Sequence, residues 1–248
     1  MRSVAFASRN IKEILRDPLT LAFGAGLPIA LMILFFVIGK NVPKNAGNIF
    51  PIESTAPGLA VFSFSFISLF LGMLIAGDRG SSFLMRIFAS PMTSSDYIAA
   101  YALPMLPIAL VQTVFCYTAA VFCGLPHDMN TLLHLLLSVL VLLPVAALYI
   151  GFGLLFGSLF SEKQVGGFFS IFVNLSAWLS GTWFSLDLVG GTFKAIGYAL
   201  PFAHAVDAVK YAVSGEYGSI LPNLAWVAGY TIVIFAVAIH IFKKKMKG

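Results

Sequence analysis

Long apolar runs separated by short polar inserts set the pattern of this chain. Six runs reach the length of about 20 residues that crosses a bilayer as a helix. They are Leu19–Gly39, Gly58–Gly77, Tyr101–Cys123, Leu132–Phe160, Val165–Leu186 and Asn223–Phe242. The pattern predicts an all-α integral membrane protein with six transmembrane helices. Within the second run, FSFSFIS (Phe62–Ser68) alternates like a strand. A lone strand leaves backbone groups unpaired in lipid, so a helix is expected there too. The fourth run is overlong, which predicts a helix that tilts, kinks near Pro144 or projects beyond the bilayer.

The inserts are patterned as well. Asp78–Asp96 reads DRGSSFLMRIFASPMTSSD. At helical spacing Phe83, Leu84, Ile87 and Phe88 share one face, and Arg79, Ser82 and Arg86 share the other. Pro91 ends the pattern, because the residue before a proline is pushed away from helical angles. A short amphipathic helix across the mouth of a membrane bundle suits a device that receives force from a partner; a plain cytoplasmic loop is the alternative. Residues 1–18 place Arg2, Arg9, Glu13 and Arg16 opposite Val4, Ala7, Ile11, Ile14 and Leu15, with Phe6 breaking the pattern. That predicts a helix lying in the membrane interface, turned into the first span at Asp17-Pro18. Residues 187–222 are too apolar for an ordinary loop, and the apolar stretch Gly197–Val213 within them is too short to span. One or two outer helices dipping back into the membrane are expected, broken at Gly190-Gly191 and Pro201. No internal repeat is visible, so residues 1–248 read as one membrane domain.

Composition supports the membrane reading. The chain is 59% hydrophobic and 10% charged, where a soluble domain carries about a quarter charged residues. The net charge of +5 does not point to nucleic acid, because the cations cluster at the ends of apolar runs and face lipid headgroups. Residues 1–18 hold four Lys or Arg, the 78–100 loop two, the 161–164 loop one and the carboxy-terminal tail four, eleven in all. The opposite side holds four: Lys40, Lys44, Lys194 and Lys210. The excess of positive charge predicts a multi-pass protein of the cell membrane with both termini, and the Asp78–Asp96 insert, in the cytoplasm. The charged stretch before the first apolar run does not read as a cleavable signal peptide. Cys116 and Cys123 stand seven apart in one helix, a backbone separation of about 10 Å, which is beyond disulfide reach.

Candidate chemistry is sparse. Gly39-Lys40 is the one Gly-Lys pair, and neither the preceding glycine nor the following hydroxyl of a phosphate-binding loop accompanies it. Energy for pumping must then come from another subunit or an ion gradient. His204, Asp207 and Lys210 share one helix face but lack a third metal ligand nearby, so they read as a local polar stripe. No His-Glu-x-x-His or Gly-x-Ser-x-Gly motif is present. The runs contain almost no ionisable residue apart from His134 and His240 near their ends. This disfavours the alternative of an ion-coupled secondary transporter, which usually buries a carboxylate. Gln112, Asn174, Ser176 and Trp178 either bond another helix or line a wet path. Ser65, Ser68, Gly72 and Ala76 form a small-residue face, with Phe62, Phe66 and Phe70 nearly opposite, and Gly153-x-x-x-Gly157 forms another. Such faces admit close helix contact.

Three stretches in order, Arg9–Ile33, Gly77–Pro104 and Leu179–Lys210, give the chain a resemblance to the type-2 permeases of ATP-binding-cassette transporters, the daunorubicin-resistance-like and polysaccharide or drug export group. The first holds an Arg-Asp-Pro entry to span one. The last holds Leu-Pro-x-x-His-Ala-Val-Asp-Ala, whose Pro201, His204 and Asp207 mark the outer helices. The resemblance implies a connecting helix over 1–18, a coupling helix over 78–91 and outer helices over 187–222. It implies two paired permeases, identical or not, each docked on a cytoplasmic ATPase that holds ATP and Mg, with no cofactor and no enzymatic activity on this chain. Arg79, Phe83, Leu84, Arg86, Ile87 and Phe88 are the expected ATPase contacts, with Glu162 in the 161–164 turn a second one. Asp78 stands where Glu is common, and Met85-Arg86 where Glu-Arg or Lys-Arg is frequent. The implied role is the membrane subunit of an exporter, as in multidrug resistance, moving an amphipathic or hydrophobic substrate. Its path is expected at the dimer interface, involving Phe62, Phe66, Gln112, Asn174 and Trp178.

Overall fold

Apolar runs fold as helices here because a helix satisfies every backbone group within one segment. A computed structural model describes residues 2–18, 22–42, 50–81, 94–126 and 128–246. Among them no strand occurs. Helix α1 covers Arg2–Arg16. A π-helical turn at Ala22–Gly26 leads into α2, Leu27–Asn41. The long α3 runs over Ile52–Gly80, so Phe62–Ser68 is helical despite its alternation. Next come α4, Ser94–Ala102, and α5, Met105–Phe122. These two divide the third expected run at Leu103-Pro104, where the proline lacks the N–H needed to continue.

Helix α6 covers Met129–Leu159 without interruption at Pro144. Its 31 residues amount to about 46 Å, well beyond a hydrocarbon core of about 30 Å. Helix α7, Glu162–Leu179, starts in a capping box between Ser161 and Gln164. Four further helices follow: α8 (Leu186–Val189), α9 (Gly191–Ala199), α10 (Pro201–Ser214) and α11 (Ile220–Met246). Glycines with positive φ stand from the end of α7 to the first residue of α9: Gly181 at +73°, Gly190 at +64° and Gly191 at +54°. Only glycine adopts such angles without strain.

Five helical stretches among the described residues are long and apolar enough to cross a membrane: Ala22–Asn41, Ile52–Gly80, Ser95–Phe122, Met129–Leu159 and Tyr217–Phe242. The fifth expected run, Val165–Leu186, differs. Its helix begins earlier, in Glu162-Lys163-Gln164, and stops at Leu179, seven residues before the apolar run ends, because Gly181 turns the chain.

Helix α3 is the hub, packing against α2, α5, α6, α7 and α10. Over its most apolar window it is 78% buried, against 17% for Ala22–Asn41 and for Tyr217–Phe242. The α3–α6 contact is the most extensive among the described helices. The small-residue face of α3 meets Gly153 and Gly157 of α6, and Ser68 Oγ donates to the carbonyl of Tyr149 at 2.6 Å. Small residues at this crossing let the backbones approach, which is how membrane helices gain contact without a hydrophobic driving force.

Candidate functional site

The polar groups of the bundle gather at two ends of the long helices. At one end α1 is built to face inward through Phe6, Asn10 and Ile14, spaced four apart and all buried. Phe6, which interrupts the sequence pattern of α1, thus belongs to its packed face. Its ring meets Tyr101 edge-on at 5.0 Å and Tyr97 at 6.4 Å between centroids. Asn10 Nδ2 donates to the carbonyl of Ala100 at 3.0 Å.

Beside this face, Arg9 grips Asp78 with both guanidinium arms. Nη1 donates to Oδ2 at 2.7 Å and Nη2 to Oδ1 at 2.9 Å. The Tyr101 hydroxyl donates to the same Oδ2 at 2.8 Å. Asp78 is 6% exposed and Arg9 35%, so the pair is screened far less than a surface bridge. Glu13 lies one turn along α1 and contacts Arg9 at 2.7 Å. Burial pulls the Arg9 guanidinium down from its ordinary pKa, but the hydrogen bond and charge of Asp78, helped by Glu13, outweigh it and hold the value up.

The neighbouring Arg79 points the other way. Its Nη1 donates to the carbonyls of Gly157 and Ser158, both at 2.7 Å. These are carbonyls of the last turn of α6, where helix geometry leaves acceptors unpaired and a cation is favoured. Glu162, at the start of α7, lines the clefts on both sides of this junction. One, of about 450 Å³, opens beside Asp78 and Glu13 with Phe70, Met73 and Leu74 as its apolar wall. The other, of about 330 Å³, lies against Arg79 and Lys163. The structure therefore brings Arg79 and Glu162 together. Phe83, Leu84, Arg86, Ile87 and Phe88 lie outside the described residues.

The residues expected along a path divide into two groups. Phe62 and Phe66 are buried in an aromatic cluster: Phe62 meets Trp183 at 5.2 Å, and Phe66 meets Phe23 and Phe169 at 6.3 and 5.8 Å. Gln112 is buried beside the π-helical turn, close enough that a Cβ on Gly24 would lie 2.5 Å from its Nε2. Its Oε1 has no hydrogen-bond partner among the described residues. Asn174 and Trp178 lie on the exposed face of α7 with Ile171 and Leu175. Asn174 Nδ2 donates to the carbonyl of Ser170 at 2.7 Å, one turn back.

At the opposite end, Pro201 opens α10 and places the rest of the signature. His204 Nδ1 lies 2.6 Å from Asn223 Oδ1, and Nε2 lies 3.0 Å from the carbonyl of Tyr198. The Tyr198 hydroxyl donates to Asp207 at 2.8 Å, and Lys210 Nζ donates to the carbonyl of Gly181 at 3.3 Å. Burial pushes Asp207 up from its ordinary pKa, opposed by Tyr198, Lys210 and His204. Burial pulls Lys210 down, opposed by Asp207. Each group of the signature thus ties α10 to α9, to α11 or to the Gly181 turn. Among the described residues no three His, Cys, Asp or Glu side chains converge on a possible metal position.

Arg9, Asn10 and Tyr101 are the residues that sequence reasoning passed over at this site. Arg9 opens the stretch Arg9–Ile33, but periodicity assigns it to the lipid-facing cations. Its partner is 69 positions away, a distance no local spacing reveals.

Residues 3–213 match the ABC-2 type transporter family. In Pyropia yezoensis, a protein carrying the name transport permease ycf38 is 26% identical over 252 aligned positions, covering 96% of this chain and 84% of that protein. The protein of the same name in Porphyra purpurea is 30% identical over 152 positions, covering 58% of this chain and 51% of that protein.

Proposed function

We propose, for a chain that belongs to the ABC-2 type transporter family, that it is the membrane-spanning subunit of an ATP-driven exporter. A separate cytoplasmic ATPase subunit, loaded with ATP and Mg, supplies the energy. A second permease copy, identical or not, completes the pump. Both termini face the cytoplasm, α7 serves as a sixth crossing, and α1 lies in the inner interface. The substrate is hydrophobic or amphipathic and leaves between the two copies, past the α7 face of Asn174 and Trp178. Segment 78–91 and Glu162 form the ATPase contact, with drug export a fitting role.

One observation carries this reading: the placement of buried ionisable groups. Among the described Asp, Glu, His, Lys and Arg residues, those that are buried are Asp78, two residues from the end of α3, and His204, in α10. Between them the helices bury hydroxyls and the Gln112 amide. Ion-coupled carriers keep a carboxylate, His or basic side chain at mid-membrane, whereas a pump driven from outside the bilayer needs its charged machinery at the ends. The test is co-purification with candidate ATPases, followed by transport in vesicles. ATP should drive uptake into inverted vesicles. Transport that persists without ATP on a proton gradient, with no ATPase bound, would overturn the reading.

A further inference from the structure

Three separate elements converge on the one carboxylate of Asp78. Arg9 arrives from α1 and Tyr101 from α4, and Asp78 itself belongs to α3. Both carboxylate oxygens are engaged, one of them twice. A planar guanidinium held by two parallel bonds is fixed in orientation as well as in distance. Further attachments of α1 go to α4: Phe6 meets Tyr97 and Tyr101 edge-on, and Asn10 holds the backbone of Ala100. Helix α1 therefore packs along α4, and Arg9 is an arm by which it also grips α3. Arg79, next in sequence, anchors the same end of α3 to α6.

We infer that Arg9, Asp78 and Tyr101 form a positioning latch that makes α1, α4 and the end of α3 move as one body during the transport cycle. The inference rests on the ATP-driven reading for its role in transport, but the latch itself is a property of this chain. With the latch intact, displacement of α3 or α4 carries α1 with it. With Arg9 cut, α1 stays on α4 through its aromatic contacts and α4 keeps its Tyr101 bond to α3, while α1 loses its own direct hold on α3. The apolar packing of each helix survives, so the loss is one of coupling rather than of fold.

The test places spin labels at Ser8→Cys on α1 and Gly80→Cys on α3. Both positions are exposed, and Gly80 has open space around it. In the full chain the distance distribution between them is expected to be narrow, to broaden in Arg9→Gln and to narrow again in the charge swap Arg9→Asp with Asp78→Arg. Transport should fall by about tenfold or more in Arg9→Gln, at unchanged membrane level and with ATP hydrolysis by the bound ATPase continuing. Should Arg9→Gln fail to accumulate, the isosteric Asp78→Asn is read in the same way. An unchanged distribution, or wild-type transport, in the single variants overturns the latch. The distances are measured on the permease without any ATPase. A pump that proves not to use ATP therefore overturns the functional reading alone.

Discussion

A Cβ added at Gly157 would lie 2.7 Å from Cβ of Ile75 and 2.8 Å from the carbonyl oxygen of Gly72. Neither atom is the flexible end of a side chain, so the helices themselves must separate. Gly157→Ala is expected to destabilise the protein by about 1–3 kcal/mol, read as a lowered thermal midpoint in detergent. Gly229→Ala, with open space around it, should change stability by no more than about 0.5 kcal/mol. Gln112 predicts the opposite sign. Its buried Oε1 leaves desolvation uncompensated, so Gln112→Met, of similar volume, should raise stability by about 1 kcal/mol. Asp207 adds a pH dependence. Its pKa is raised above the ordinary 3.8, so the folded state holds the proton more tightly than the unfolded state. Its contribution to stability is full below 3.8 and is lost as pH rises through the raised value. Asp207→Asn should flatten that part of a stability profile measured from about pH 3 to 8.

At the scale of elements, much of the architecture is legible from periodicity. Lengths and apolarity fix where the long helices run, and Gly190, Gly191 and Pro201 stand where the short helices α8, α9 and α10 part. The misreadings share a cause. The pattern of residues 1–18 sets Phe6 aside, because it treats α1 as a helix with lipid below and water above. In the structure α1 has a third neighbour, α4, and Phe6 faces it. Likewise the run Val165–Leu186 reads as continuous, although Gly181 can take a left-handed angle that no hydropathy scale registers. The Arg9–Asp78 bond is invisible for a different reason: it depends on three helices meeting, and single-sequence spacing speaks of one helix at a time. If α1 is held mainly by its aromatic face, Phe6→Ala should cost about 3 kcal/mol. It should speed amide hydrogen exchange along α1 while leaving α6 protected.

For the whole molecule the sharpest question is how force enters. The coupling reading of segment 78–91 predicts that Arg86→Glu abolishes transport and weakens ATPase co-purification without lowering membrane insertion. Wild-type activity in that variant would remove Arg86 from the coupling role. The topology reading predicts that impermeant labels reach cysteines at both chain ends only when the cytoplasmic face is accessible.

Helix α7 has a further consequence for the lipid that surrounds the protein. Its outward apolar side chains run from Phe168 to Trp178, a band only about 15 Å tall. The adjoining α6 is some three times that height. Until the proposed second permease copy covers this face, a bilayer with a core of about 30 Å has to thin to meet so short a band, at an elastic cost that depends on the host lipid. Acyl-chain length then becomes a control on the protein from outside. Reconstituted in vesicles of graded chain length, two copies should pair more strongly as the membrane is made thicker, because pairing hides the short band from lipid.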